Sequence, residues 1–285
     1  MNAPVPDLDH LRQWIGRERE DEDVASLRHA HLMAATVGRP GPALRAGEAM
    51  PPLWHWIWFL EGRPPAELGP DGHPARGGFL PPVPLANRMW AGGRVDFERD
   101  VPLGAPMAKR SRILSVDAKQ GRAGALVFVT VRHEISVDGR RCIAEEHDIV
   151  YRDPPPPGGA PAKADESPAP GTHRRAIEPD TTLLFRYSAL TFNGHRIHYD
   201  LDYCRRVEGY ANLVIHGPLV ATLLAGFAQE AGGRPLRRFE YRALKPAILG
   251  TTLTLEADLG GDRVETWSRL AEGGISMRGT AFLAA

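Results

Sequence analysis

The chain has 285 residues, of which 42% are hydrophobic and 25% are charged. This length allows two domains with cores of their own, and the composition excludes the disordered and fibrous classes. The 35 Lys and Arg residues balance the 35 Asp and Glu residues, so no basic excess points to a nucleic-acid partner.

Neither a targeting signal nor a membrane segment is predicted for this chain. The opening residues MNAPVPDLDHLRQW carry acidic side chains early and have no apolar core, unlike a signal peptide. The apolar run at residues 53–60 (LWHWIWFL) is far shorter than the roughly 20 residues of a membrane helix. We interpret it as a buried strand or as the wall of an apolar pocket.

The two cysteines, Cys142 and Cys204, lack the spacing of a metal knuckle or a redox pair. Together with the missing targeting signal, this favours a reduced, cytoplasmic setting without a membrane partner. The sequence is compatible with either a monomer or a homodimer.

The rest of the first half is predicted to be rich in strands. GRVDFERDVPLG at residues 93–104 is strand-like, and VFVTVRHEIS and CIAEEHDIVYR flank an Asp-Gly pair at 138–139. An Asp-Gly pair between two β-rich runs predicts a hairpin. His133, Glu146 and His147 alternate along these runs, and we interpret them as part of a solvated strand face.

Residues 154–171 (PPPPGGAPAKADESPAPG) form the clearest boundary in the chain. Their prolines and glycines cannot sustain a helix or a sheet, and the stretch offers little to bury. We predict an extended, exposed linker between a first unit at residues 1–153 and a second unit at residues 172–285.

The second half repeats this design and adds a helix. Residues 237–250 resemble residues 93–104, and DRVETWSRL and ISMRGTAFLA flank a turn near Gly273. A helix begins near Pro218, where proline suits the first turn, and ends at the glycines that follow Ala231. The helix is apolar nearly all round, so we expect a sheet to wrap it.

The corresponding stretch of the first half, GHPARGGFLPPVPLANRMWAGG, is too rich in Gly and Pro for such a helix. The second unit is therefore predicted to be catalytic. The first unit is predicted to be remodelled to hold the substrate.

The most informative stretch is TFNGHRIHYD at residues 191–200, which gathers several proton-handling groups. SALTFNGHRIHYD, followed by GYANLVIHGPL, resembles the MaoC-like (R)-specific enoyl-CoA hydratases. The match is closer to the branch of mesaconyl-CoA (3-methylfumaryl-CoA) hydratases and mitochondrial 3-hydroxyacyl-thioester dehydratases. The specific motifs cover about residues 184–224, and the general layout covers nearly the whole chain.

The resemblance implies an α+β double hot-dog fold, in which two antiparallel sheets each wrap a helix and the first half is degenerate. It also implies three site residues. His198 falls on the catalytic histidine, and Gly217 falls on the glycine whose N–H forms the oxyanion hole. Asn193 falls where the (R)-hydratases have a catalytic aspartate, and an amide orients water without exchanging a proton at neutral pH.

Elementary chemistry assigns the same roles. Adding water to a conjugated thioester makes the carbonyl oxygen enolate-like, so the site must stabilise an oxyanion. Gly217 lies at a helix start, where unpaired N–H groups meet the positive end of the dipole. Such a donor is worth roughly 3–4 kcal/mol. Histidine suits the proton step because its pKa lies near working pH.

Arginines are the natural candidates for the anionic parts of a CoA substrate, because guanidinium binds phosphate and carboxylate in a bidentate manner. For the nucleotide the candidates are Arg205, Arg206, Arg237 and Arg238. For a free carboxylate on the acyl group the candidates are Arg186, Arg196 and Arg76.

The remaining polar residues of the motif have structural interpretations. His195 is expected to order the loop, with catalysis as the alternative, and His216 to shape the turn before Gly217. Asp200 and Asp202 are interpreted as helix caps. We expect no metal site, since zinc requires three or four converging ligands.

The sequence thus predicts a hydro-lyase that hydrates a short branched enoyl-CoA, with 3-methylfumaryl-CoA first among the substrates. No cofactor is expected, since coenzyme A is part of the substrate. The alternative is a (3R)-3-hydroxyacyl-thioester dehydratase of fatty-acid or polyketide metabolism. A hot-dog thioesterase and a non-catalytic acyl-CoA binding module are less favoured.

Overall fold

The computed structural model describes residues 6–121, 124–153 and 168–285. The predicted linker therefore lies outside the described residues except for its last four. Gly171 is buried and donates its N–H to Glu256 Oε2 at 3.1 Å, while Arg269 Nη2 donates to the carbonyl of Pro168 at 2.9 Å. Ala169 and Pro170 are exposed as predicted, whereas Gly171 is buried against the second half, and the prediction of exposure is wrong at that residue.

Ten strands form one antiparallel sheet in the order β1-β3-β4-β5-β2-β7-β10-β9-β8-β6. The strands are β1 (Glu18–Val24), β2 (Asn87–Phe97), β3 (Pro106–Gly121), β4 (Gly124–Val137), β5 (Arg140–Arg152), β6 (His173–Ile177), β7 (Leu236–Ala243), β8 (Leu253–Gly260), β9 (Arg263–Leu270) and β10 (Ile275–Leu283). The α-helices are α1 (Leu8–Arg12), α2 (Leu27–Val37), α3 (Thr181–Leu190), α4 (Leu201–Tyr203) and α5 (Gly217–Gly232).

The sheet confirms an internal duplication. From its outer edge inwards, the first half runs β1-β3-β4-β5-β2, and the second half runs β6-β8-β9-β10-β7, which is the same order. The inner strands β2 and β7 pair with each other, and Arg238 Nη1 bonds to Asp96 Oδ1 at 2.7 Å across the seam. The expected two sheets are therefore joined into one, because each half leaves its inner strand edge free to pair.

Helix α5 is the predicted buried helix, and it packs on strands β7 to β10. Its buried side chains include Leu219, Leu224 and Phe227. The helix ends at Gly232 and is capped by Gly233, whose φ of 67° is left-handed and favours glycine. The second half thus has a sheet that wraps an apolar helix.

The apolar run of the first half is not a strand. Residues Trp54–Ile57 form a short, largely buried 3₁₀ helix. Two of its ring nitrogens are held by the buried Glu145, which accepts from Trp56 Nε1 at 2.9 Å and lies 3.0 Å from His55 Nε2. A buried carboxylate on β5 therefore fixes these aromatic residues. Of the two interpretations of this run, the buried strand is wrong, and a buried wall is formed by a short helix.

Both predicted hairpins form. Asp138 and Gly139 have φ values of 49° and 69°, as a two-residue turn of this type requires, and Gly273 has a φ of 90°. Among the helices of the described residues, none combines the length and the apolar character needed to cross a membrane.

Candidate active site

The motif at residues 191–200 is a loop between α3 and α4, and a loop of the first half holds it in place. The Arg196 N–H donates to the carbonyl of Asp71 at 2.9 Å, and Arg196 Nη1 donates to the carbonyl of Pro70 at 3.1 Å. The two loops meet so closely that a Cβ on Gly72 would lie 2.0 Å from the carbonyl oxygen of Gly194. Both halves therefore build the site.

The imidazole of His198 is held in its neutral form. Its side chain is 7% exposed, and Nδ1 lies 2.7 Å from the carbonyl oxygen of Val214. A carbonyl only accepts, so Nδ1 carries the proton and Nε2 is left as the acceptor. Burial lowers the pKa of His198 to about 3, although the bond to Val214 acts in the opposite direction. At neutral pH this imidazole is ready to accept a proton.

A second imidazole supports the ring of His198 from behind. The ring of His216 stacks on it with centroids 3.6 Å apart and an interplanar angle of 18°. His216 Nε2 lies 2.8 Å from Ser188 Oγ on α3. Burial lowers the pKa of His216 well below its usual value, so the stack consists of two neutral rings. His216 thus does more than shape a turn, because it fixes the plane of the His198 ring.

His195 lies beside His198 at a centroid distance of 5.5 Å, and it also contacts His73 of the first half at 4.4 Å. Burial lowers the pKa of His195 to about 4 and that of His73 to about 2. The site therefore holds a row of neutral imidazoles. This row extends from the second half into the first.

Asn193 holds the loop in shape and faces the same cavity as His198. Its Oδ1 accepts the N–H of His195 at 2.9 Å, and its own N–H donates to the carbonyl of Ser188 at 2.8 Å. This leaves the amide Nδ2 as a donor for the oxygen of a water. The geometry supports an orienting role and offers no proton exchange.

Gly217 is the first residue of α5, and Trp90 of β2 covers it. A Cβ at position 217 would lie 3.0 Å from Trp90 Cε3, closer than carbon atoms ordinarily approach. A larger residue at position 217 would force the indole or the helix start to shift by a few tenths of an ångström. The N–H of Gly217 has no acceptor within the helix, and Gly217 lines the main cavity.

These groups converge on one cavity of about 980 Å³, whose lining includes His198, Asn193, His195 and Gly217. A second cavity of about 500 Å³ in the first half shares part of this lining. The shared residues are Pro74, Ala75, Arg76, Leu80, Arg88, His147 and Ile149. Residues of the first half thus line the same cavity as the motif of the second half, and their role in holding substrate stays a prediction.

The structure brings few of the predicted arginines to this cavity. Arg76 lines it, with its Nη1 donating to the carbonyl of Val83 at 2.9 Å and both terminal nitrogens close to further carbonyls. Arg196 is engaged by Asp200 at 2.7 Å. Arg186 is exposed and lines a separate surface cavity beside α3.

The four nucleotide candidates are not among the residues lining the main cavity. Arg206 pairs with Asp202, Arg237 pairs with Asp262, and Arg238 pairs with Asp96 and Glu240. Arg205 donates to the carbonyl of Ala211 at 3.1 Å.

The prediction that His133 and His147 belong to a solvated strand face is wrong. His133 and His147 line cavities instead of a solvated face, and burial lowers the pKa of both. Glu146, in contrast, pairs with Arg94. Two residues that the sequence did not single out, His73 and Arg88, also line the main cavity, and they come from a loop and a strand of the first half with no local motif.

The capping interpretation holds for one aspartate. Asp200 caps α4 by accepting the N–H of Tyr203 at 3.0 Å, whereas Asp202 pairs with Arg206. Within residues 6–121, 124–153 and 168–285, no three His, Cys, Asp or Glu side chains are arranged to hold a metal ion.

Comparison with known sequences identifies relatives across nearly the whole chain. The model of the family described as hydroxyacyl-thioester dehydratase type 2 matches residues 53–249. A mesaconyl-C(4)-CoA hydratase of Chloroflexus aurantiacus is 43% identical over 270 residues, which cover 95% of this chain and 96% of the relative.

Solved structures agree on the fold. A MaoC-like dehydratase from Phytophthora capsici covers 98% of both chains with a TM-score of 0.74 at 14% identity. A Mycobacterium tuberculosis protein described as having a double hotdog fold covers 95% of this chain and 96% of its own with a TM-score of 0.53 at 16% identity. At these identities the likeness shows the fold alone, which is the double hot-dog.

Proposed function

The chain belongs to the hydroxyacyl-thioester dehydratase type 2 family, and on that premise we propose that it is a hydro-lyase that hydrates 3-methylfumaryl-CoA (mesaconyl-C4-CoA). The observation that carries the proposal is the convergence of His198, Asn193 and Gly217 on one cavity. These residues supply a base, a water-orienting amide and a helix-start donor, which are the groups that hydration of an enoyl thioester needs.

The reaction follows from the protonation states. Asn193 Nδ2 orients a water, and His198 Nε2 removes its proton as the oxygen bonds to the β carbon of the enoyl group. Charge then moves to the thioester oxygen, where the N–H of Gly217 stabilises it. The imidazolium of His198 returns the proton to the α carbon, so one water is consumed and the base is regenerated.

A single proton carrier has a stereochemical consequence. Because His198 both takes the proton from water and returns it, the hydrogen and the hydroxyl are delivered to the same face of the double bond. The neutral state of His198 suits the hydration direction, since the step begins with proton acceptance.

The substrate is proposed from the relative with 43% identity, which is named a mesaconyl-C(4)-CoA hydratase. The alternative is a 3-hydroxyacyl-thioester dehydratase, which would use the same groups in reverse and is favoured by the name of the family model. A thioesterase is less supported, since Asn193 offers no carboxylate to activate a hydrolytic water.

Two further expectations belong to this proposal. The reaction needs no cofactor, because coenzyme A arrives with the substrate. A reduced, cytoplasmic setting suits the two buried free cysteines, Cys142 and Cys204.

One assay tests the function. The protein is incubated with 3-methylfumaryl-CoA and with crotonyl-CoA, and the loss of enoyl absorbance is followed alongside the release of free thiol. The proposal expects loss of absorbance without thiol release, and faster hydration of 3-methylfumaryl-CoA. Thiol release would indicate a thioesterase, and equal rates on both substrates would favour the general dehydratase.

A further inference from the structure

Arg88 on β2 differs from most other arginines at the site because no carboxylate pairs with it in the part of the chain that the structure describes. It lines both the main cavity and the cavity of the first half. The other arginines of the first-half cavity are occupied: Arg19 bonds to Asp21 and Glu61, Arg63 pairs with Glu61, and Arg76 holds backbone carbonyls.

The surroundings of Arg88 are those of an interior site. Arg88 is half-buried and lies opposite Tyr151 in the β2–β5 pairing, and Tyr151 is only 1% exposed. Burial raises the pKa of the Tyr151 hydroxyl, and the charges of Arg88 and Arg76 oppose that increase. Arg76 Cζ lies 5.7 Å from the centroid of the Tyr151 ring, and Arg88 hydrogen-bonds to the Tyr151 hydroxyl, so both guanidinium groups lie beside this buried phenol. A positive charge that is partly removed from water, such as that of Arg88, is stabilised when an anion binds beside it.

Arg88 is also close to the reacting groups. Its charge helps to lower the pKa values of His73 and His195, second to burial for His73. The ring of His195 in turn lies 5.5 Å from that of His198. Arg88 and His198 line the same cavity, so one acyl group bound there can face both residues. The pantetheine arm would keep the phosphates of a bound CoA much farther from the reacting carbon.

We propose that Arg88 binds a carboxylate on the acyl group of the substrate, with the Tyr151 hydroxyl as a second donor. This rests on the proposed function and names the residue that selects a dicarboxylic enoyl-CoA. In 3-methylfumaryl-CoA the free carboxylate is attached to the β carbon, which the water attacks. Its negative charge would repel the incoming oxygen, and a guanidinium bound to it reduces that repulsion.

The test uses two saturated thioesters that the enzyme cannot hydrate. Succinyl-CoA and butyryl-CoA differ only by a carboxylate in place of a methyl group. Their Kd values are measured by calorimetry for the unmodified protein and for Arg88→Met, Arg88→Lys and Arg186→Met. Arg186 is the matched control, because it is an exposed arginine outside the main cavity.

We expect the unmodified protein to bind succinyl-CoA on the order of 10²-fold more tightly than butyryl-CoA. Arg88→Met should abolish this preference without weakening butyryl-CoA, Arg88→Lys should keep part of it, and Arg186→Met should keep all of it. An absent preference in the unmodified protein, a preference that survives Arg88→Met, or equal weakening of both ligands would overturn the proposal. Equal weakening would mean that Arg88 holds the CoA portion.

Turnover separates this inference from the proposed function. If the unmodified protein fails to hydrate 3-methylfumaryl-CoA but Arg88→Met still removes the preference for succinyl-CoA, the carboxylate site stands and the proposed reaction is wrong. If hydration of 3-methylfumaryl-CoA is observed and persists undiminished in Arg88→Met, the reaction stands and the role of Arg88 is wrong.

Discussion

His198 Nδ1 lies 2.7 Å from the carbonyl oxygen of Val214, and this bond decides which nitrogen of the imidazole can act as a base. The strand-like segment before α5 thus sets the tautomer of a residue 16 positions earlier in the chain. The stacked ring of His216 holds the same imidazole in its plane.

Replacing His198 by Gln should lower kcat about 10²–10⁴-fold, because the proton carrier is lost while a polar side chain of similar reach remains. Steady-state kinetics on 3-methylfumaryl-CoA would measure this, with the melting temperature as a check on folding. His173→Gln, on the exposed face of the edge strand β6, is the matched control and should keep full activity. Activity near that of the unmodified protein in His198→Gln would remove the residue from the mechanism.

The pH dependence of catalysis should lack the usual acid limb of histidine. A free imidazole loses its basic form below about pH 6.5, but burial holds the pKa of His198 at about 3. We therefore expect kcat/KM to stay nearly constant between about pH 5 and 8. Initial rates in buffers of constant ionic strength test this, and a limb centred near pH 6.5 would contradict it.

How far the sequence predicts this molecule depends on whether a feature is local. The hairpin at Asp138, helix α5 and the loop with His198 are each encoded by a contiguous pattern, and the structure contains all three. Two of the site residues, Asn193 and His198, come from one stretch of the chain, and Gly217 follows the next apolar run.

The contributions of the first half could not be predicted in this way. Trp90 reaches Gly217 only because β2 pairs with β7, and Arg88 faces the site only because the two halves share one sheet. Neither residue belongs to a motif. The same limit explains the run near Trp56, where a distant carboxylate, Glu145, stabilises a 3₁₀ helix in a stretch that favours a strand by composition.

Asn193 should tolerate aspartate better than alanine. Its Oδ1 accepts the N–H of His195, and a carboxylate can accept the same bond. Asn193→Ala loses both this bond and the donor to water, so we expect kcat to fall roughly 10- to 100-fold. Asn193→Asp should retain measurable activity with a new dependence on pH, because the introduced group titrates. Kinetics that are unchanged in Asn193→Ala would show that the water is oriented by another group.

The buried histidines should make folding sensitive to acid. Six of them have a lowered pKa in the folded protein: His73, His133, His147, His195, His198 and His216. Between the folded and unfolded pKa values, the unfolded chain binds protons that the folded chain does not. The stability that they contribute is thus fully present above about pH 6.5 and is lost as the pH falls towards the folded values.

Melting temperatures measured from pH 7.5 to 5 should therefore fall steeply, with uptake of about four or more protons on unfolding near pH 5. Urea titrations at each pH give the same number from the slope of the unfolding free energy. A melting temperature that does not change over this range would show that the imidazoles are solvated in the folded protein.

The contact between Gly217 and Trp90 predicts a loss of activity without a loss of helix stability. Alanine is intrinsically the better helix former, yet its Cβ at position 217 would lie 3.0 Å from Trp90 Cε3. The indole or the helix start must then move, and a moved helix start displaces the Gly217 N–H that we propose as the donor to the oxyanion. We expect Gly217→Ala to lower kcat at least about 10-fold with a smaller effect on KM.

A double-variant cycle with Trp90→Leu identifies the cause. If steric conflict displaces the donor, the smaller side chain makes room, and Gly217→Ala should cost much less in the Trp90→Leu background than in the unmodified protein. Leu219→Ala, which leaves a cavity farther along α5, serves as a control that should lower the melting temperature instead. If the losses of kcat in Gly217→Ala and Trp90→Leu are additive in the double variant, the indole does not position the helix start. Glycine would then be required at position 217 so that the substrate itself can approach the backbone closely.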